Sequence, residues 1–184
     1  MKKRILKTCV IIMLGLFIVG GAKAQFYSIR TNLIGLATLN LNMEGSMTLN
    51  RNWTVHLPVQ YNPWIFSDNK KFQNLTVTPG VRYWFLESYA RGFVGAHAVA
   101  SRFHAGGWFG HKYRYDGQAY GLGVSAGFAK VLSPHFNLEY EIGIGGVWTD
   151  YDKYDCRHCG RLKSSKKGIY PAVTKIAVNL VYLF

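Results

Sequence analysis

Hydrophobic and polar residues alternate with a period of two along most of this chain. In HFNLEYEIGIGG, Phe136, Leu138, Tyr140, Ile142 and Ile144 share one face, with Asn137, Glu139, Glu141, Gly143 and Gly145 on the other. AYGLGVSAGFA does the same, opposing Tyr120, Leu122, Val124, Ala126 and Phe128 to Gly121, Gly123, Ser125 and Gly127. The last stretch sets Ala172, Thr174, Ile176, Val178, Leu180, Tyr182 and Phe184 against Lys175, Ala177 and Asn179. Successive side chains of a strand point to opposite faces, so this is strand pattern; a 3.6-residue helical period is absent over any useful window. Eight strands are predicted, near 26–36, 39–49, 53–62, 74–86, 92–103, 117–130, 135–147 and 170–184. A soluble sandwich alternates too, but most of these runs reach ten residues or more, where strands usually have about five or six. Tilted membrane strands need about nine to eleven, and an even number of them can close and leave no edge, as a bilayer requires. The expected fold is all-β: an eight-stranded antiparallel transmembrane β-barrel with up-and-down meander order.

The N-terminus has a different character. MKKRILK is a basic leader, TCVIIMLGLFIVGG is apolar but short for a membrane span, and AKA supplies a small-x-small cleavage pattern. Residues 1–24 therefore read as a signal peptide cut between Ala24 and Gln25, with 25–184 as one barrel domain. The connections also alternate in length. NRN, ESYAR and LSPH are short, whereas 62–74, 104–116 and 148–169 are long. Both termini are then expected in the periplasm of an outer membrane, with the long loops outside.

The chain runs out in AVNLVYLF, in the middle of the alternation. Tyr182 and Phe184 resemble the C-terminal aromatic signature by which outer-membrane barrels are recognised for insertion, which implies an encounter with the barrel assembly machinery. Aromatics at predicted strand ends suggest interfacial girdles: Tyr27, Trp53, Phe85, Phe93 and Phe136 on the periplasmic side, and Tyr61, Phe103, Tyr120 and Trp148 on the outer side. RTNLIGLATLNLNMEGSM, then YNPW, TPGVRYWF and GFVGAHA, in that order, resemble a group of Bacteroidales-type outer-membrane barrels of unknown function. That resemblance implies a small single-chain barrel, sometimes encoded near fimbrial components, with no established activity. Small OmpA-like and OmpX-like barrels are the wider architectural comparison.

The net charge of +13 falls to +8 once Lys2, Lys3, Arg4, Lys7 and Lys23 leave with the signal. A basic balance raises nucleic acid as a partner, but an exported protein seldom meets it; outer-membrane lipid, lipopolysaccharide or anionic polysaccharide fits better. The glycines of GLGVSAG and GIGIGG alternate within strands, and no helix follows to complete a phosphate cradle. They read as small interior residues that leave room for bulky neighbours. Arg30, Glu44, Arg82, Glu139, Glu141 and Lys175 fall on the face opposite the apolar one, with His56 and His97 beside them. An eight-stranded barrel is just wide enough to fill with side chains, and charges buried there must pair. An ion-pair network is expected, in preference to Glu139 and Glu141 acting as an acid–base pair.

CRHC, Cys156 to Cys159, lies in the longest loop. Such spacing serves redox pairs, half metal sites or local disulfides; four metal ligands are not evident, and in an oxidising envelope a disulfide is the plain reading. The same loop gathers Asp150, Asp152 and Asp155 with Lys153, Arg157, Arg161, Lys163, Lys166 and Lys167, net +3. Trp148, Tyr151 and Tyr154 stand among these charges, and Trp108, Phe109, Tyr113 and Tyr115 lie in the preceding loop. Trp148, Tyr151, Tyr154, Arg157, Arg161, Lys163, Lys166 and Lys167 form the candidate partner-binding loop. The expected function is a non-enzymatic, monomeric barrel with a plugged lumen and no cofactor or metal, structural or presenting its loops to a surface protein or glycan. A small pore is the first alternative. A membrane hydrolase built on Ser101, His104, His111 and Asp116 is the second, since catalysis needs nucleophile, base and acid within mutual reach.

Overall fold

The computed structural model describes residues 27–66, 70–106, 113–154 and 162–184. Ten strands and one short helix are found among them: β1 (Tyr27–Asn32), α1 (Leu33–Ala37), β2 (Leu41–Asn50), β3 (Trp53–Asn62), β4 (Ile65–Phe66), β5 (Lys70–Val77), β6 (Gly80–Trp84), β7 (Arg91–Gly106), β8 (Arg114–Val131), β9 (Phe136–Tyr154) and β10 (Leu162–Leu183). Neighbours along the chain pair antiparallel, and β10 returns to pair with β1 from Ser28↔Leu183 to Asn32↔Asn179. The sheet is therefore a closed barrel. It has eight staves, because β5 and β6 are one strand broken at Thr78–Pro79, while the two-residue β4 pairs only with β5. Both β5 and β6 lie between β3 and β7. The break falls at a proline, which has no N–H to give the ladder.

The first strand stops earlier than its alternation suggests. Asn32 caps α1, its side-chain Oδ1 accepting from the Ile34 N–H at 3.1 Å, and Thr38 closes the turn by donating its hydroxyl to the Gly35 carbonyl at 2.9 Å. Asparagine is a strong N-cap, and its local bonds win over a strand expected to reach residue 36. At the other extreme, the expected long loops are mostly strand. β7, β8, β9 and β10 have 16, 18, 19 and 22 residues, against 10 each for β2 and β3. They rise past the short staves as a tall wall on one side of the barrel, at the end opposite Tyr27 and Phe184.

Alternation divides the side chains between interior and exterior. Ile29, Met43, Leu57, Val81, Val94, Leu122, Val124, Ile142, Ile144 and Ile176 stand exposed on the outside. Inside are Ser28, Arg30, Glu44, Ser46, Thr54, His56, Arg82, His97, Ser125, Asn137, Glu139, Glu141 and Asn179, all buried. The polarity is the reverse of a water-soluble barrel.

Three aspects of the expected pattern are corrected. Phe93, expected in a girdle, faces inward at 1% exposure. Phe103 has the same inward parity on β7, in register with Asn74 and Gly117. Their signal was ambiguous because aromatics serve both as girdle and as interior filler. On β10 the register shifts between Val173 and Lys175. This bulge places Thr174 inside, where its hydroxyl meets His97 Nε2 at 2.8 Å. Past an extra residue the facing of a strand inverts; Ala172 consequently aligns with inward Gly145 and Val173 is exposed, the opposite of the expectation from strict alternation.

Candidate functional site

The interior is layered. At the end holding Phe184, the turn between β6 and β7 folds Tyr89 into the barrel mouth, with φ of 66° at Tyr89 and 61° at Arg91. Tyr89 joins Trp84, Phe93, Ala129, Val181 and Leu183 in an apolar cluster. Trp84 and Phe93 have ring centroids 4.6 Å apart. The Tyr89 hydroxyl shares a 2.9 Å hydrogen bond with Ser46 Oγ, and the Asn137 amide donates to the Tyr89 carbonyl at 2.6 Å. Turn and strands thus form a floor across this mouth. Tyr89 is not marked by the alternation, because a tyrosine in a short turn carries no periodicity; the signal available was its place between Trp84 and Phe93.

Above the floor the structure brings together the six charged residues singled out from the alternation. Arg30 on β1 pairs with Glu139 on β9, and its Nε lies 3.3 Å from Oε1 of Glu44, the cross-strand neighbour in register on β2. Arg82 on β6 reaches across the interior, Nη1 donating to Glu44 and Nη2 to Glu141, both at 2.7 Å. Lys175 Nζ stands 3.0 Å from Glu141 and 3.7 Å from Glu44. Three cations thus meet three carboxylates, with Ser28 and Ser46 accepting from Arg30 and Ser125 donating to Glu141. The carboxylates of Glu139 and Glu141 are occupied by arginines. Arg30 also lies 5.7 Å from the Tyr89 ring and Arg82 lies 5.2 Å from the Phe93 ring, within cation–π range.

Glycine spacing makes this layer possible. A Cβ on Gly123 would stand 2.7 Å from both His97 Nε2 and Thr174 Oγ1, so the His97–Thr174 contact needs a glycine on β8. Both ring nitrogens of His56, itself buried, have no hydrogen-bond partner among the described residues. Towards the tall end the interior opens into a polar cavity of about 290 Å³, bordered by Asn32, Glu44, Gln60, Thr76, Thr78 and Lys175.

The tall wall carries the described part of the candidate partner-binding loop. Tyr115 and Tyr151 meet edge to face at 5.9 Å, Lys153 Nζ lies 3.8 Å from the Tyr113 ring, and Lys163 Nζ lies 4.9 Å from it. Arg114 stacks on Tyr154 at 4.2 Å. Trp148 stacks on Tyr120. Lys167 and Asp150 form a 2.8 Å pair, and that hydrogen bond holds the Lys167 ammonium above its ordinary pKa. Lys166 is exposed. Arg157, Arg161, Trp108, Phe109 and the cysteines Cys156 and Cys159 lie outside the described residues, as do Ala24 and Gln25. Tyr182 and Phe184 are exposed on the outer face, edge to face at 5.0 Å. Of the hydrolase candidates, His104 and Asp116 pair at 3.1 Å. Ser101 is three residues from His104 on β7, hence on the opposite face, and shares its hydroxyl with Thr76 at 2.7 Å; His111 lies outside the described residues. Among those described, no three histidine, cysteine, aspartate or glutamate side chains cluster as metal ligands would.

A family model described as a protein of unknown function, DUF3575, matches residues 9–184. No curated protein matches the chain, and no solved structure does.

Proposed function

We propose, from the premise that this chain belongs to the DUF3575 family, that it is a non-enzymatic β-barrel of a bacterial outer membrane, made with a cleaved leader of residues 1–24 and closed to solutes by its own side chains. The observation that carries the reading is the inversion of polarity: an apolar exterior around an interior of paired charges. Apolar surface on this scale is costly in water and favourable in lipid. Its height fits as well. On β9 the outward run from Phe136 to Trp148 covers about 40 Å of strand, or roughly 30 Å at a tilt near 40°, the thickness of a bilayer core. Aromatic pairs mark both limits, Phe136 with Tyr182 and Tyr120 with Trp148.

In this reading both termini are periplasmic, Phe184 faces lipid and serves the barrel assembly machinery, and the tall wall stands outside the cell. The barrel is monomeric and OmpA-like in the broad sense, of the kind found in Bacteroidales. Its work is structural, or it is to present the tyrosine–lysine wall to a surface protein, such as a fimbrial or adhesin component, or to an anionic glycan. The polar cavity favours a second reading, a small pore, but the charged layer and the aromatic floor lie beneath it. Fractionation tests the proposal: the mature chain, beginning at Gln25, should sit in outer membranes and migrate faster on gels before boiling than after. Recovery as a soluble periplasmic protein would overturn it.

A further inference from the structure

The two edges of β10 are not equally covered. Along one, β9 pairs with it from Leu162 to Tyr182; along the other, β1 reaches only from Leu183 to Asn179. Asn32 extends that cover by one step, its side chain accepting from the Val178 N–H and donating to the Ile176 carbonyl. From Leu162 to Val173, no strand among the described residues pairs with this edge. The other flank of the wall is protected, since β5 pairs with β7 up to Gly106 and β4 pairs with β5. The barrel is closed at its waist; above it α1 packs against β10, and beyond α1 no strand among the described residues covers this edge.

The sequence of this segment treats the edge as a hazard. Lysines, prolines and bulges are the devices that blunt exposed edges, and here are Lys163, Lys166, Lys167, Pro171 and register shifts at Leu162/Ser164 and Val173/Lys175. Pro171 stays in register with Gly146 of β9, and a proline is tolerated in a strand only where its missing N–H faces away from the ladder. Residues of the same parity, Ser165, Lys167 and Ile169, therefore turn their N–H and C=O groups to the open side. Between Leu162 and Tyr170 no proline interrupts them, a length of roughly 30 Å. Charge decides what such an edge can accept: Lys166 is exposed, while Lys167 is paired with Asp150 and Lys163 stands against Tyr113. Antiparallel pairing with a second copy would set one lysine run against another, and like charges directly opposite are destabilising. A strand bearing carboxylates meets the opposite condition.

We propose that the open edge of β10 from Leu162 to Ile169, above the level of Trp148, is a docking site for an extended acidic polypeptide, which adds as a further strand by backbone hydrogen bonding and is held in register by Lys166. The inference rests on the reading that this part of the wall stands outside the membrane.

The test uses the full mature chain refolded in detergent micelles and a synthetic nonapeptide alternating glutamate with valine or threonine. Its partner is the same peptide N-methylated on alternate residues, which keeps every charge and removes the backbone donors on one side. The unmodified peptide should bind and slow amide exchange at Ser165, Lys167 and Ile169, while N-methylation and Ser165→Pro should each weaken binding about tenfold or more. Equal binding of the two peptides would overturn the proposal and leave side-chain attraction alone. So would absence of binding at about 1 mM, or protection of the same amides by dimerisation without peptide. Gel mobility before boiling and insertion into liposomes are followed in parallel. Their loss would overturn the membrane reading, whereas failed peptide protection in an inserted barrel overturns only the docking site.

Discussion

Arg82 spans the interior from β6 to Glu44 on β2 and Glu141 on β9, and its side chain has no contact with solvent. Arg82→Ala leaves two buried carboxylates with Lys175 as their remaining shared cation, and breaking a buried pair from one side costs on the order of 3–5 kcal/mol. Urea unfolding in lipid vesicles should register that loss. Adding Glu44→Gln should restore part of it, whereas Lys166→Ala on the exposed wall should stay within about 0.5 kcal/mol. An Arg82→Ala barrel as stable as the parent would refute this role. At this scale the charges were legible because a charged residue on the polar parity of a narrow barrel has one place to go. Phe93 and Phe103 were not, since either face of a membrane barrel accepts an aromatic. His56 was placed inside correctly, but its lack of hydrogen-bond partners among the described residues could not be foreseen, as partners come from distant strands.

At the scale of elements, β10 closes the barrel against β1 and, in the proposed reading, also carries the insertion signal. Phe184 donates its backbone N–H to the Tyr27 carbonyl at 3.0 Å while its ring packs outside against Tyr182. Phe184→Asp keeps the backbone bond but sets a charge on the exposed outer face, which the proposed reading puts against lipid. Its abundance in outer membranes should fall well below that of the parent, and Lys167→Asp on the wall should not share the defect. Equal abundance of the two would count against the assignment. Strand existence and order were readable from alternation, and lengths were not. The alternation of β9 and β10 continues past the apolar band, but with Asp150, Asp152, Lys153, Ser165, Lys166 and Lys167 it loses the hydrophobic contrast that makes a strand visible. The loop reading failed for that reason. The bulge at Thr174 was invisible for another: an inserted residue changes facing without changing composition.

For the whole molecule, floor, ion layer and cavity lie in series along one axis. In the proposed closed barrel, a solute entering from the tall end reaches the cavity and stops at Glu44, Arg82 and Lys175. Planar-bilayer recordings of the wild type should show no steady conductance, and large, long-lived channels would put the pore reading first. The pairing of β1 with β10 has a further consequence, for timing. Residues 27–32 wait for residues 179–183 before the hoop can shut, so the contact that closes the barrel has a sequence separation near the maximum the described chain allows. Such long-range pairing is slow to find. Until it forms, β1 and β10 both present bare ladder edges, and the charged layer lacks the pair between Arg30 and Glu139. Closure of this one seam turns an unshielded ribbon into a cylinder.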